Sequence, residues 1–311
     1  MSRILVAGVA SLAVHLAVDD FPIRYAPVVA PSWMETGPGG AGAQIASILR
    51  TLGDDVTLCS VVGSDPAGEI VRAQLRAADL DGPGIVEGWE SSQAVVLVAP
   101  NGQRMVYPHL TTVNTVRYPE ERFAEALDGA DLAVLTNTDF VRSLLPAAVL
   151  RGVPIAVDVN VIADINEPYY QPWLDVADII FCSHERLPCP APQWIAQLLT
   201  RHPGAGMAAV GCGPRGCVLG LRDGRLVTVA ATTPLGVRNT SSAGDSLFAA
   251  FLHGWLASGN PVDALGDAVL YAGWRIGHRR PTSVLLDSSE LASLRLRYPA
   301  RVSLGWWDKR E

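Results

Sequence analysis

Apolar positions along the chain fall into two periods. Ile45, Ile48, Leu49 and Leu52 recur at i, i+3, i+4 and i+7, and Gly53 follows, so the spacing predicts a helix ending near residue 52. Residues 56–62 are instead a continuous β-branched and apolar run, the pattern of a parallel strand buried on both faces. Asp65 as cap and Pro66 as first residue then open a second helix carrying Ile70, Val71 and Leu75. Later strand candidates are 132–135, 155–157, 179–182 and 207–210, with helical stretches between several of them. Such alternation predicts an α/β chain with a central, mostly parallel sheet covered by helices.

Two stretches break the alternation. Pro100-Asn101-Gly102 lies between apolar runs 94–99 and 104–107, and Asp223-Gly224 lies between 218–221 and 226–229; both read as hairpins. The first hairpin, together with residues 14–35, can form a small sheet standing off the main one. At the N-terminus, Arg3 followed by the apolar run 4–14 has the look of a short signal peptide. A first buried strand, Ile4-Leu5-Val6-Ala7 closed by Gly8, accounts for it better, because His15 and Asp19-Asp20 follow without a small-residue cleavage site. The closing Trp306-Trp307-Asp308-Lys309 fits an exposed tail and a packed cap equally.

Composition narrows the function. The 311 residues are 49% hydrophobic and 18% charged, which excludes general disorder. The net charge of −7 argues against a nucleic-acid partner, which needs surplus Lys and Arg, but leaves room for a small anionic ligand. No stretch approaches the roughly 20 apolar residues of a membrane span. Five scattered cysteines without CxxC spacing fit free thiols in a reducing cytoplasm, and no Cys/His spacing suits structural zinc.

Three segments can carry chemistry. Asn239-Thr240-Ser241-Ser242-Ala243-Gly244-Asp245-Ser246 is made of small residues and leads into a helix whose apolar face is Leu247, Phe248, Phe251, Leu252, Trp255 and Leu256. Free N–H groups and the dipole at such a helix start make an anion site, and a first-turn Asp beside it suits proton removal from a hydroxyl. A plain capping turn uses the same residues. Gly37-Pro38-Gly39-Gly40-Ala41-Gly42-Ala43-Gln44 opens the helix that ends at Leu52, where glycines permit positive φ and close ligand approach; a flexible turn reads the same. Gly63-Ser64-Asp65-Pro66-Ala67-Gly68 is a strand-to-helix turn, structural by default.

In order, spacing and overall length, these three segments resemble the ribokinase (PfkB) family of sugar kinases. Asn101-Gly102-Gln103-Arg104, Asp158-Val159-Asn160 and Gly213-Pro214-Arg215-Gly216 extend the resemblance over nearly the whole chain. The resemblance implies a Rossmann-like, ribokinase-type three-layer sandwich in one domain spanning 1–311, with a small β-sheet lid drawn from about 11–36 and 90–113. It implies an ATP-dependent phosphotransferase acting on a hydroxyl of a small sugar or sugar acid, with a nucleoside kinase or a non-catalytic binding member as alternatives. Asp245 becomes the base; Ser242, Ala243 and Gly244 form the anion hole. Ser11, Gly39, Gly40, Gln44 and Arg104 are the expected acceptor contacts. Gly211, Gly213, Gly216 and Arg275 are the expected nucleotide contacts, and Glu185 is a candidate magnesium ligand. ATP and magnesium are the implied cofactors, a monovalent cation stays open, and a homodimer through the lid is the family-level expectation. No P-loop and no His-Arg-Asp catalytic loop occurs.

The chain departs from the family at the acceptor and metal sites. Ala13 stands where an Asp usually grips sugar hydroxyls, with Ser11 at a neighbouring Asn. Ala41 replaces a frequent Lys and Gln44 a usual Asn. Ser183-His184-Glu185-Arg186 falls on the family's Asn-x-x-Glu, Asn239 on the first Asp of the C-terminal motif, and Ser242 on a Gly. Loss of Asp and Lys removes strong directional hydrogen bonds. The acceptor is therefore expected to differ from ribose, and Arg104, Tyr107 and His109 on the hairpin suggest a polar or anionic one. Cys212 and Cys217 read as small buried hydrophobes, and the cluster Trp274, Arg275, His278, Arg279 and Arg280 as either a cationic helix end or a nucleotide border.

Overall fold

The computed structural model describes residues 1–308; Lys309 of the closing motif lies outside them. Its strands are β1 (Arg3–Ala7), β2 (Ser11–Ala17), β3 (Met34–Gly39), β4 (Asp55–Gly63), β5 (Ile85–Gly88), β6 (Ser92–Val98) and β7 (Arg104–His109), then β8 (Leu132–Leu135), β9 (Ile155–Val161), β10 (Ile179–Ser183), β11 (Met207–Gly211), β12 (Cys217–Leu221), β13 (Arg225–Val229) and β14 (Val302–Trp306). Ten of them form one sheet in the order β14-β13-β12-β11-β10-β9-β8-β1-β4-β5. From β5 to β11 every neighbour is parallel, and the three last pairings, out to β14, are antiparallel.

Burial follows the alternation of each strand. Ile4, Val6, Leu58 and Val134 point to one face, against helices Ala41–Leu52, Pro66–Ala77, Ala243–Ser258 and Pro261–Arg275. Leu5, Ala7, Val61 and Leu135 point to the other, against helices that include Glu120–Leu127 and Ala191–Arg201. Two apolar cores separated by one sheet make a three-layer sandwich of the expected kind. The run 4–14 is thus two strands, β1 and β2, hinged at Gly8.

Four strands form a second sheet in the order β3-β2-β6-β7, with β2 and β6 parallel and both outer pairings antiparallel. It draws on both the predicted hairpin and the segments flanking residues 18–33. The C-terminal question resolves into a cap: β14 pairs with β13, and Trp307 donates its indole N–H to the Leu221 carbonyl at 2.7 Å.

Candidate functional site

The chain turns away in opposite directions from the middle of the large sheet, because β1 lies between β4 and β8. At such a switch point the carboxyl ends of parallel strands leave a crevice. Here a cleft of about 460 Å³ occupies it. Val9 just beyond β1, Thr136, Asn137 and Thr138 just beyond β8, and Asn160 near the end of β9 form its floor. The small sheet forms the opposite wall through Ser11, Ala13 and His15 of β2, Ala94 and Val96 of β6, and Arg104, Val106 and Pro108 of β7. Alternation along β7 therefore sends Arg104 into the cleft but turns Tyr107 and His109 away, and His109 instead meets the Glu90 carboxylate at 3.0 Å.

The start of helix Ala243–Ser258 closes one side of the cleft. Ser242 occupies the cap position in the left-handed region, with φ 59, and no side chain caps the helix. Its hydroxyl donates instead to Asp245 Oδ2 at 2.6 Å, so Asp245 is oriented while its other oxygen stays unclaimed. Both residues line the cleft. The helix is held rigidly from behind: Phe248 and Phe251 pack on Phe181 of β10, with ring centroids 4.9 and 5.1 Å away. Ser246 donates to the Ser242 carbonyl at 2.6 Å, and Asn239, fully buried, accepts from the Ser241 N–H and donates to the Arg279 carbonyl.

The glycine segment shapes the adjoining wall. Gly40 has φ +86, and a Cβ there would sit 2.3 Å from the Val9 carbonyl oxygen, so only glycine fits. Gly39, Gly40 and Gln44 all line the cleft, as does Ser11. Gln44 is nonetheless committed within the protein: its amide donates to the Pro38 and Thr282 carbonyls and its oxygen accepts from Arg275.

Arg275 corrects the expectation of a nucleotide contact. It is fully buried, and its guanidinium donates to Gln44 Oε1 (2.5 Å), Ser246 Oγ (2.9 Å) and the Val284 carbonyl (3.0 Å). It ties the glycine-segment helix to the Asp245 helix and presents nothing to a ligand. Its neighbours Arg279 and Arg280 both grip Glu35 of β3, at 2.6 and 2.5 Å.

The remaining predicted residues gather elsewhere. Gly211, Gly213 and Gly216 lie at the β11–β12 turn, outside the cleft lining, beside the short turn His184–Arg186: His184 Nδ1 sits 3.0 Å from the Gly211 carbonyl oxygen. This neighbourhood touches the Asp245 helix through Leu247, which a Cβ on Gly211 would meet at 3.4 Å. Glu185 is exposed there, and among the described residues no three His, Cys, Asp or Glu side chains gather as a metal site. Cys212 and Cys217 are free and buried, and burial raises both thiol pKa values.

Asp158 is a carboxyl group strongly altered by its surroundings. Burial raises its carboxyl pKa to about 7; the Asn160 N–H, donating at 2.8 Å, opposes the shift, and the charge of Asp245 adds to it. Asn160 itself adopts φ 57, and its amide donates to Asn137 Oδ1 at 3.0 Å. Asn137, Tyr169 and His15 line the cleft without having stood out in the sequence; the signal available for Asn137 was its place directly after a parallel strand.

A family model described as pfkB family carbohydrate kinase matches residues 1–287. An ATP-dependent ribose-1-phosphate kinase of Halopiger xanaduensis is 28% identical over 275 residues, 85% of this chain and 88% of its own. Among solved structures, the microbiome-derived acarbose kinase Mak1 superposes with a TM-score of 0.83 at 21% identity, covering 95% of this chain and 99% of its own. Ribokinase of Thermotoga maritima superposes with a TM-score of 0.78 at 16% identity, over 94% and 99%. The last two likenesses establish the fold.

Proposed function

The chain belongs to the pfkB family of carbohydrate kinases, and on that premise we propose that it moves the terminal phosphoryl group of ATP onto a hydroxyl of a small sugar or sugar acid, with Asp245 as the base. One observation carries the reading: a helix start left without a side-chain cap faces a cleft, with a carboxylate in its first turn on the cleft lining. The acceptor hydroxyl gives its proton to the free oxygen of Asp245 as its own oxygen attacks the γ-phosphorus, and ADP leaves. The N–H groups of Ser242 and Gly244, with that of Ala243 once it leaves the Thr240 carbonyl it meets at 3.3 Å, meet the charge that builds on the transferring group, reinforced by the helix dipole. Gly211, Gly213 and Gly216 face the nucleotide from the β11–β12 turn. The acceptor lies across the cleft between Ser11, Gly39, Gly40 and Arg104.

A magnesium ion supplies charge neutralisation between the phosphates in reactions of this type. Among the described residues no carboxylate cluster gathers for it; Glu185 is the side chain that would contribute to holding it, and bound phosphates and water would supply the rest. Five free thiols suit a cytoplasmic setting. The outer face of the small sheet, where Met34, Val95, Met105 and Tyr107 are exposed, is where we place a homodimer contact.

The decisive experiment is an ATP-consumption screen against pentoses, hexoses, sugar acids, nucleosides and ribose 1-phosphate, the last taken from the Halopiger relative. At least one acceptor is expected to drive ADP release in the wild type. Silence across the panel would end the proposal.

A further inference from the structure

The wall that β2 presents to the cleft is a row of three side chains, Ser11, Ala13 and His15. Ser11 pairs with Gly39 of β3 and His15 with Glu35, so the row runs from the glycine segment toward the Glu35 ion pairs. Four residues of strand span about 13 Å, longer than a single sugar ring. Between the two ends the wall is apolar, built from Ala13, Ala94, Val96 and Val106. His15 is the polar side chain that β2 itself contributes toward the far end, with Arg104 of β7 two register positions beyond it.

That histidine is chemically unfinished. It is 6% exposed, and neither ring nitrogen has a hydrogen-bond partner in the protein. The nearest candidate, Glu35, is held by Arg279 and Arg280. Burying polar atoms without partners is costly, and most buried polar groups avoid it. An unsatisfied imidazole in a cleft wall marks a contact that a ligand completes.

Resting on the kinase reading above, we propose that His15 is a specificity-determining residue, receiving a neutral polar group on a second ring of the acceptor. The first ring lies toward Ser11 and the glycine segment; the second lies on the apolar strip. The second ring is a further sugar carrying a hydroxyl or a nucleobase presenting its edge, and the shared chemistry is one uncharged donor or acceptor. Burial holds the imidazole pKa below its usual value against the pull of Glu35, so the ring is neutral, with one donor and one acceptor nitrogen. Rotation about the soft ring torsion turns a nitrogen into the cleft.

The test compares wild type with His15→Phe, which keeps a ring and removes the nitrogens, and His15→Gln, which restores one donor and one acceptor. Steady-state kinetics are measured with monosaccharides, disaccharides and nucleosides. A two-ring acceptor is expected to have the lowest KM, rising about tenfold in the Phe variant with kcat unchanged, and returning to within threefold in the Gln variant. A disaccharide preference identifies the second sugar; a nucleoside preference identifies the base. The proposal falls if the Phe variant leaves every KM unchanged, shifts all of them equally, or weakens a single-ring acceptor. Thermal shift separates this from failure of the kinase reading. If nothing is phosphorylated, a two-ring ligand that stabilises wild type but not the Phe variant still upholds His15, and equal stabilisation of both overturns it.

Discussion

Two helices of this protein begin with the same ingredients and end in opposite states. The helix Pro66–Ala77 starts at Asp65, whose carboxylate accepts from the Gly68 N–H at 2.8 Å, the Ser91 hydroxyl at 2.6 Å and the Ser91 N–H at 3.2 Å. Slight burial opposes the shift, but these bonds hold its carboxyl below the usual range. The helix Ala243–Ser258 has its carboxylate three residues further in, bound to one hydroxyl, and no side-chain cap; its Ala243 N–H meets only the Thr240 carbonyl, at 3.3 Å. A carboxylate moved by one turn no longer caps the helix, and the proposed base and anion site both rest on that displacement. Small residues, glycine and aspartate do not by themselves distinguish a side-chain-capped turn from an uncapped one; the position of the carboxylate does.

The sharpest way to break this contrast is to neutralise each carboxylate in turn. Asp245→Asn should lower kcat by about 10²–10⁴-fold, with ATP affinity by titration calorimetry changed only a few-fold. Arg275→Ala should come next, costing about 3 kcal/mol of unfolding free energy in urea, because Gln44 Oε1 and Ser246 Oγ lose a buried donor. Asp158 supplies a pH test of the open end. Its native pKa of about 7 exceeds the unfolded value near 3.9, so the native state binds the extra proton and loses stability as pH rises from about 4 to 7. Asp158→Asn should remove that loss, its advantage over wild type growing by about 2–3 kcal/mol between pH 5 and 8 in urea melts. Asp65→Ala should cost about 1–2 kcal/mol with kcat per folded molecule intact. A large kcat loss there would erase the distinction between the two helix starts.

The sequence exposed the fold wherever burial was two-sided. Leu132–Leu135 is apolar throughout and residues 56–62 apolar but for Thr57 and Ser60 because helices cover both faces, and both read directly as strands. Val302–Trp306 escaped notice because it is an edge strand whose side chains are mostly exposed, and Ile85–Gly88 because four residues carry little pattern. At the site, Gly40 was legible because its backbone demands glycine, and the place of Asp245 on the cleft because a run of small residues opens its helix. His15 was not, since alternation along 11–17 shows that two faces exist but not which one meets a cleft. Arg275 misled for the same reason: a dense run of cations reveals charge but not direction, and here one points inward while two hold Glu35.

The Gln44–Arg275 bond joins positions 231 residues apart. It has a temporal consequence during synthesis, which proceeds from the N-terminus at about 5–20 residues per second. The glycine wall emerges first and waits for a partner that follows 231 residues behind. A nascent chain therefore carries one wall of the cleft for much of its making, and acquires the opposite wall late and all at once.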